Sequence, residues 1–361
     1  MTYRVLCVGA ALLSTALVVT SCGQAGGTDG SVADVDTDVI SQCVDATAPG
    51  WDDVVEKAGQ EGRVVLYTVT LPEINANLER AFESAYPNID LQITRVVGEE
   101  INASLDAEQS TGTDGADVVS HVNYDWMLDH LDSGTFVEPV GPDSAGPNWM
   151  GTENLIDDVF QVSLLTGIGI AWRTDLVETP PTDYMDLLKP EYSNGQVGIV
   201  NAEAQSLADL YAWMEDEFGP DYLPQLAAQQ PRVYASAVPT LEALIAGEIS
   251  VDGFASSIGV AAAKAKGAPI EFALPDPGWA PLNLSYMLSK SARPNASQVL
   301  FNFMACDAGQ EALAQNNVSV LDGIPGTIGS PDSVTAANLS RMTEPGWIQR
   351  FYPQWAETFG R

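Results

Sequence analysis

Apolar positions along this chain recur with two periods, and the periods take turns. Residues 52–58 read as a short helix with Val54, Val55 and Ala58 on one face, and Glu61-Gly62 turns it into a strand over 63–68. Ile74, Leu78, Ala81, Phe82 and Ala85 then fall at helical spacing until Pro87 stops the run. Ile89, Leu91 and Ile93 alternate with Asp90, Gln92 and Thr94, which predicts a strand with one polar face. Gly98 opens a helix carrying Ile101 and Leu105. Residues 109–115 read as a polar loop and 116–120 as a short buried strand, and Asn123 caps a helix around Trp126 to Leu131. Strand, helix, strand, helix, strand is the order of an α/β domain with a largely parallel sheet.

Residues 164–172 are apolar and broken by Gly167 and Gly169. Beyond them the pattern predicts a strand over 196–200, helices over 206–218 and 239–246, and a strand over 251–255. A Ser256-Ser257 step, a small-residue helix over 258–266 ended by Gly267, and a strand over 270–274 follow. Residues 296–314 read as one long helix with Val299, Leu300, Phe303 and Met304 inward. The closing segment, with Trp347, Phe351, Tyr352 and Trp355, is expected to pack across the second half of the fold. Residues 23–49 are rich in Gly, Ser, Thr, Asp and Ala without hydrophobic periodicity, the composition of a tether.

The chain has 361 residues, enough for two ordinary domains, and 45% of them are hydrophobic, enough for a sizeable core. Its formal net charge of −34 is unusual. Unpaired carboxylates are too costly to bury, so this charge lies on the surface and repels nucleic acid and anionic lipid. It serves solubility or salt tolerance, or else it favours cationic cargo. Arg4 followed by the apolar stretch 5–19 has the make-up of a secretory signal, too short for a membrane span. Val19-Thr20-Ser21-Cys22 resembles the lipobox of bacterial lipoproteins. That resemblance implies a signal peptide over 1–21, a tether over 22–50, and lipid on Cys22, which holds the protein to the extracytoplasmic face of the cell membrane. Once Cys7 has left with the signal, Cys43 and Cys306 remain, and in an oxidising compartment they are expected to pair.

Catalytic chemistry is hard to find. No Gly-x-Ser-x-Gly and no Walker sequence occurs, and Gly167-Ile168-Gly169 lacks the third glycine of a dinucleotide loop, so strand packing explains it better. Two histidines, His121 and His130, and no CxxC speak against a zinc site. With 49 acidic residues, some carboxylate pair will always look like a glycosidase dyad, so that signal carries nothing. The expectation is a protein that is not an enzyme, with no catalytic residue, no resident metal and no cofactor.

Several passages in shared order resemble bacterial extracytoplasmic solute-binding proteins of the ferric-iron and small-solute branch. They are 61–68 (Glu-Gly, strand, Tyr-Thr), 82–87 (Phe to Tyr-Pro), 115–119 (Gly-Ala-Asp-Val-Val), 133–139 (Ser-Gly to Glu-Pro), 170–177 (ending Thr-Asp-Leu-Val), 180–195 with Tyr184 where tryptophan is usual, and 309–313 (Gly-Gln to Leu). Together they span nearly all of residues 51–315. The resemblance implies an α/β, type II, two-lobed periplasmic-binding-protein-like fold, each lobe a mixed, mostly parallel sheet flanked by helices. Lobe one is expected over 51–162, completed by 276–318, and lobe two over 163–275, completed by 319–361. Strand ends would then face one cleft and supply Thr68, Thr70, Arg95, Gly98, Ser120, His121 and Asn123 from one side. The other side would supply Asn201, Gln205, Ser206, Ser236, Ser256 and Ser257, with Trp279 and Asn283 beyond the return crossing. Tyr67, Tyr124 and Trp279 are candidate stacking walls.

The iron binders of this branch hold metal with two adjacent tyrosines. Here Ser257 and Ile258 fall at those positions, and Leu71 and Val122 fall near those of the early histidine and glutamate. Ser and Ile cannot supply phenolate. The expected cargo is therefore a small organic solute, anionic if Arg95 reaches it, taken by a monomeric lipid-anchored receptor of an ABC importer and handed to membrane permease subunits. A receptor for ferric iron or an iron chelate, an exported enzyme on the same scaffold and a surface sensor or adhesin are the alternatives.

Overall fold

The structure, a computed structural model, describes residues 35–96 and 100–360. Helices α1 (Thr37–Asp45) and α2 (Trp51–Glu61) lead into β1 (Arg63–Thr68). Between α2 and β1, Gly62 holds φ 73° and returns its N–H to the Ala58 carbonyl at 3.0 Å, a turn that a side chain would strain. Pro72 starts α3 (Pro72–Ala85), where a missing N–H costs nothing, and Ile74, Leu78, Ala81 and Phe82 are buried along one face. β2 (Asp90–Arg95) pairs with β1 in parallel. After α4 (Glu100–Thr111), β3 (Val118–His121) pairs with the other side of β1, also in parallel. α5 (Tyr124–Asp129), β4 (Phe136–Val137), β5 (Leu155–Ile156) and β6 (Phe160–Leu165) follow.

The chain then builds a second sheet. Its elements are β7 (Ile168–Arg173), β8 (Val197–Val200), α6 (Gln205–Phe218), α7 (Tyr222–Ala228), β9 (Arg232–Tyr234), α8 (Ala237–Ala246), β10 (Val251–Ser256), α9 (Ser257–Ala265), β11 (Ile270–Ala273) and β12 (Gly278–Ala280). It returns to the first sheet through β13 (Leu282–Leu288), α10 (Pro294–Ala305) and α11 (Asp307–Leu313). β14 (Val334–Ala336), α12 (Leu339–Met342) and α13 (Trp347–Thr358) close the second. The first sheet runs β2-β1-β3-β13-β6-β5 with β4 on β13, and the second β14-β12-β7-β10-β8-β9 with β11 on β7. β13 is antiparallel to both β3 and β6, and all of its residues are buried. A strand that has already visited the other sheet thus forms the middle of the first one, which ties the two lobes together.

The chain crosses between the sheets at Thr166-Gly167, again at Pro281, and finally beyond Val318, which bridges Leu165. Asn317 binds this region together. Its Oδ1 accepts from the Ser257 hydroxyl at 3.0 Å and from the Gly167 N–H at 3.4 Å. Gly169 is needed for close packing, since a Cβ there would collide with the Ala273 carbonyl oxygen. The expected boundary at 162–163 falls inside β6, and β12, expected in lobe one, pairs with β7 and β14 in the second sheet.

Two expectations need correction. Part of the tether is a helix, α1, capped by the Asp36 carboxylate on the Asp38 N–H at 2.8 Å. Val39 and Ile40 pack on the lobe-one core, and Cys43 is disulfide-bonded to Cys306 with Cα atoms 5.8 Å apart. This short helix is held by docking of its Val39, Ile40 and Cys43 face and by the Cys43–Cys306 link that the cysteine count led one to expect. The long helix expected over 296–314 is instead α10 and α11, broken at Cys306, whose ψ of 167° is extended. Gly309 lies so close to the Phe303 carbonyl that no Cβ fits. The aromatic C-terminal helix α13 packs on α6 and α7, with Trp355 buried against Tyr211.

Candidate functional site

Two cavities lie where the lobes face each other. The first, of about 330 Å³, is almost wholly hydrocarbon. From lobe one, Val69, Thr70 and Leu71 follow the carboxyl end of β1, Ile74 comes from the first turn of α3, Leu164 and Thr166 end β6, and Asn283 comes from β13. Lobe two answers with Ala237, Val238 and Leu241 on one face of α8 and with Ser256, Ile258 and Gly259 at the junction of β10 and α9. Strands ending at an open crevice are what an α/β sheet offers a ligand. Val238 is 66% exposed. Asn283 is the buried polar group of this cavity. Its amide nitrogen donates to Thr166 Oγ1 at 3.1 Å, and its Oδ1 accepts from no described residue.

The second cavity, of about 560 Å³, shares Val69 with the first, so the two adjoin. Ile101, Asn102, His121, Val122, Asn123, Asp125, Trp126 and Asp129 line it from lobe one, and Glu203, Ala204, Gln205 and Ser206 from the start of α6 in lobe two. Asp125 and Asp129 are one helical turn apart, which puts both carboxylates on one face of α5. Gln205 Nε2 donates to Asp125 Oδ2 at 3.0 Å, a hydrogen bond that spans the cleft. Glu203 accepts from the Tyr352 hydroxyl at 3.3 Å. Burial pulls the His121 pKa down to about 4, so its ring is neutral at pH 7. Nδ1 accepts the Asn123 N–H at 3.3 Å, which leaves the ring proton on Nε2 facing the Tyr286 hydroxyl at 2.8 Å. Among the described residues no lysine or arginine lines either cavity.

The expected site residues divide accordingly. Thr70, Ser256 and Asn283 meet at the apolar cavity, and His121, Asn123, Gln205 and Ser206 at the acidic one. Thr68 is buried, and its hydroxyl accepts the Thr70 N–H at 3.1 Å to close a turn. Ser120 is sealed inside the first sheet, 3.5 Å from the Ser163 hydroxyl. Ser257 is committed to Asn317 at the crossing. Asn201 caps the Glu203 N–H at 3.2 Å, and Ser236 is exposed ahead of α8. Trp279 is a core residue of lobe two with its indole N–H on Asp209 at 3.3 Å. Tyr124 is also buried, bonded to the Leu282 carbonyl, and Tyr67 donates to Glu108 at 2.9 Å, so none of the three forms a stacking wall. Arg95 is exposed, donates its Nε to the Thr70 carbonyl at 2.9 Å, and lines neither cavity. Gly98 and Cys22 lie outside the described residues.

Sequence reasoning passed over the apolar wall (Leu71, Ile74, Leu164, Leu241, Ile258) and the carboxylates Asp125, Asp129 and Glu203. One signal was available. α8 reads Ala-Val-Pro-Thr-Leu-Glu-Ala-Leu-Ile-Ala, nearly without a polar face, which an ordinary surface helix does not need.

A family model described as bacterial extracellular solute-binding protein matches residues 68–311. Among solved structures, a substrate binding protein of an ABC transporter from Agrobacterium tumefaciens has a TM-score of 0.66 at 13% identity, covering 84% of this chain and 97% of that one. The periplasmic binding protein AfuA from Actinobacillus pleuropneumoniae, with fructose-6-phosphate bound, has a TM-score of 0.58 at 18% identity, covering 83% and 99%. Iron-bound HitA from Pseudomonas aeruginosa has a TM-score of 0.58 at 15% identity, covering 82% and 99%. At these identities the likeness is one of fold. No curated protein matches the sequence.

Proposed function

The chain belongs to the bacterial extracellular solute-binding proteins, and from that premise we propose that it is the lipid-anchored capture subunit of an ABC importer, closing its lobes on a small organic solute. The family places the protein outside the cytoplasm as a transport component. Among the described residues no helix is long and apolar enough to cross a membrane. The observation that carries the solute reading is the apolar cavity, lined from both lobes. A ligand touching both walls favours the closed arrangement by its extra contacts there, which is how binding becomes closure. Opening at the permease releases it.

Bare ferric iron fits less well. At the expected phenolate positions, the Ser257 hydroxyl is spent on Asn317 and Ile258 presents hydrocarbon to the cavity. Ferric iron needs hard anionic oxygens, which neither residue offers. The anionic cargo expected through Arg95 loses its support, because that guanidinium lines neither cavity. No catalytic step is read into the site.

A thermal-shift screen against a solute library tests the capture reading. A true ligand at one hundred times its Kd adds about 2.7 kcal/mol to stability. That shift should vanish in Leu241→Arg, which fills the apolar cavity from a partly exposed helix position. A library without hits, or hits that survive Leu241→Arg, would sink the assignment of the cleft. The anchor is tested apart. Cys22→Ala should abolish lipidation and release the protein from membranes, and retained lipid would remove the anchor from the proposal.

A further inference from the structure

The two cavities differ in chemistry yet adjoin at Val69. A molecule that reaches past Val69 would meet both, and each cavity then restricts what that molecule is. Resting on the capture reading above, we infer that the cargo is a small organic cation with a hydrocarbon body and an N–H or O–H donor along it.

The charge follows from the acidic cavity. Asp125, Asp129 and Glu203 surround it, and no lysine or arginine lines either cavity among the described residues. His121 is uncharged at neutral pH. An anion entering here would lose its water, meet like charges and find no counter-ion, whereas a cation gains from all three carboxylates. The net charge of −34 biases the approach in the same direction.

The hydrocarbon body follows from the other cavity. Leu71, Ile74, Leu164, Leu241 and Ile258 converge there, and the Val238 side chain stands in the cleft with 66% of its surface exposed. A fully polar solute would leave this wall without partners, while an apolar segment removes it from water.

The donor follows from Asn283. The residue is 4% exposed, and its amide nitrogen is already bonded to Thr166. Its Oδ1 accepts from no described residue, and Thr70, Thr166 and Ser256 are the other polar residues lining this mostly apolar cavity. An acceptor open to the cavity pairs with a ligand that brings a donor and gives nothing to one that brings only acceptors.

A matched series tests this by calorimetry on the full processed chain. Aminohexanol, hydroxyhexanoate and hexanediol share a six-carbon body and a hydroxyl donor, and differ in carrying a cation, an anion or no charge at the other end. Aminohexanol should bind at least about tenfold tighter than either companion. Asp129→Asn combined with Glu203→Gln, both at exposed positions, should cut that preference by about fivefold or more. Leu241→Asn should weaken every member that binds by a similar factor, because it alters the shared body's contacts. Tightest binding of hydroxyhexanoate, equal binding of all three, or no binding by any of them overturns the organic-cation assignment. In each of those outcomes the capture reading survives if a library solute still shifts the melting temperature in a Leu241-dependent way, and it falls separately if none does.

Discussion

Each lobe buries an aspartate completely, and the two are treated in opposite ways. Asp117, ahead of β3 in lobe one, is fully occupied. Its oxygens accept from Arg293 Nε at 2.6 Å, from the Val65 N–H at 2.7 Å and from the Ser291 hydroxyl at 2.6 Å. Arg293 also reaches Asp114 and the Gly115 carbonyl, so it clamps the start of α10 to the loop that leads into β3. Asp252, in β10 of lobe two, has the Phe254 N–H on one oxygen at 3.1 Å and nothing on the other. Burial pushes its pKa up from 3.8 to about 7. A buried charge is tolerated when paired and hydrogen-bonded, and otherwise it takes up a proton. Lobe one therefore behaves as a frame locked by charge, whereas lobe two carries a proton-dependent weak point on the strand that ends at Ser256 in the cleft.

The contrast can be broken most severely at Arg293. Arg293→Met keeps the apolar stem but leaves Asp117 buried and unpaired, which should cost about 3–5 kcal/mol in chemical denaturation. A cost below about 1 kcal/mol would mean that packing, not charge, holds this corner.

The smaller effect sharpens the other side. The folded-state pKa of Asp252 is raised, so its neutral form favours folding. Below about pH 4 both the folded and unfolded chains are protonated there, and no penalty exists. As pH rises towards about 7 only the unfolded chain ionises freely, and stability falls. Each pKa unit is about 1.4 kcal/mol, and relaxation around the site reduces the sum, so the loss is on the order of 2 kcal/mol. Asp252→Asn should remove this slope, leaving the variant favoured over wild type by more at pH 7 than at pH 4. A stability difference constant across that window would mean that Asp252 does not titrate there.

The site was legible in part, and the reasons are specific. Hydroxyls and amides at strand ends are easy to flag, so Thr70, His121, Asn123, Gln205, Ser206, Ser256 and Asn283 were all found at cavity walls. The same rule also flagged Thr68, Ser120 and Ser257, because a Ser or Thr that closes a turn or bolts a crossing has the same local sequence as one that meets a ligand. Trp279 was misplaced because aromatic character does not say which side of a strand faces the core. The apolar wall was invisible for a simpler reason. Leu241 and Ile258 resemble core residues, and both do pack on core clusters, so only the assembled cleft shows that they also line a cavity.

The residues by themselves determined the local elements. Period and punctuation, as in the alternation of 89–94 and the stops at Gly62 and Pro87, depend on neighbours in the chain and are written there. The order of those elements, with the motifs from 61 to 313, was also enough to indicate a two-lobed binding fold. Only the tertiary structure decided the rest. It inserted β13 into the middle of the first sheet, folded the stretch around Cys43 into α1, and bonded Arg95 to the Thr70 carbonyl rather than lining either cavity with it. It also set the apolar face of α8 opposite Leu71 and Ile74, and Asp125 opposite Gln205. These outcomes depend on surfaces brought together from distant parts of the chain. Burial, and with it the charge state of a carboxylate or the partner of an amide, is a property of that assembly and of no single segment.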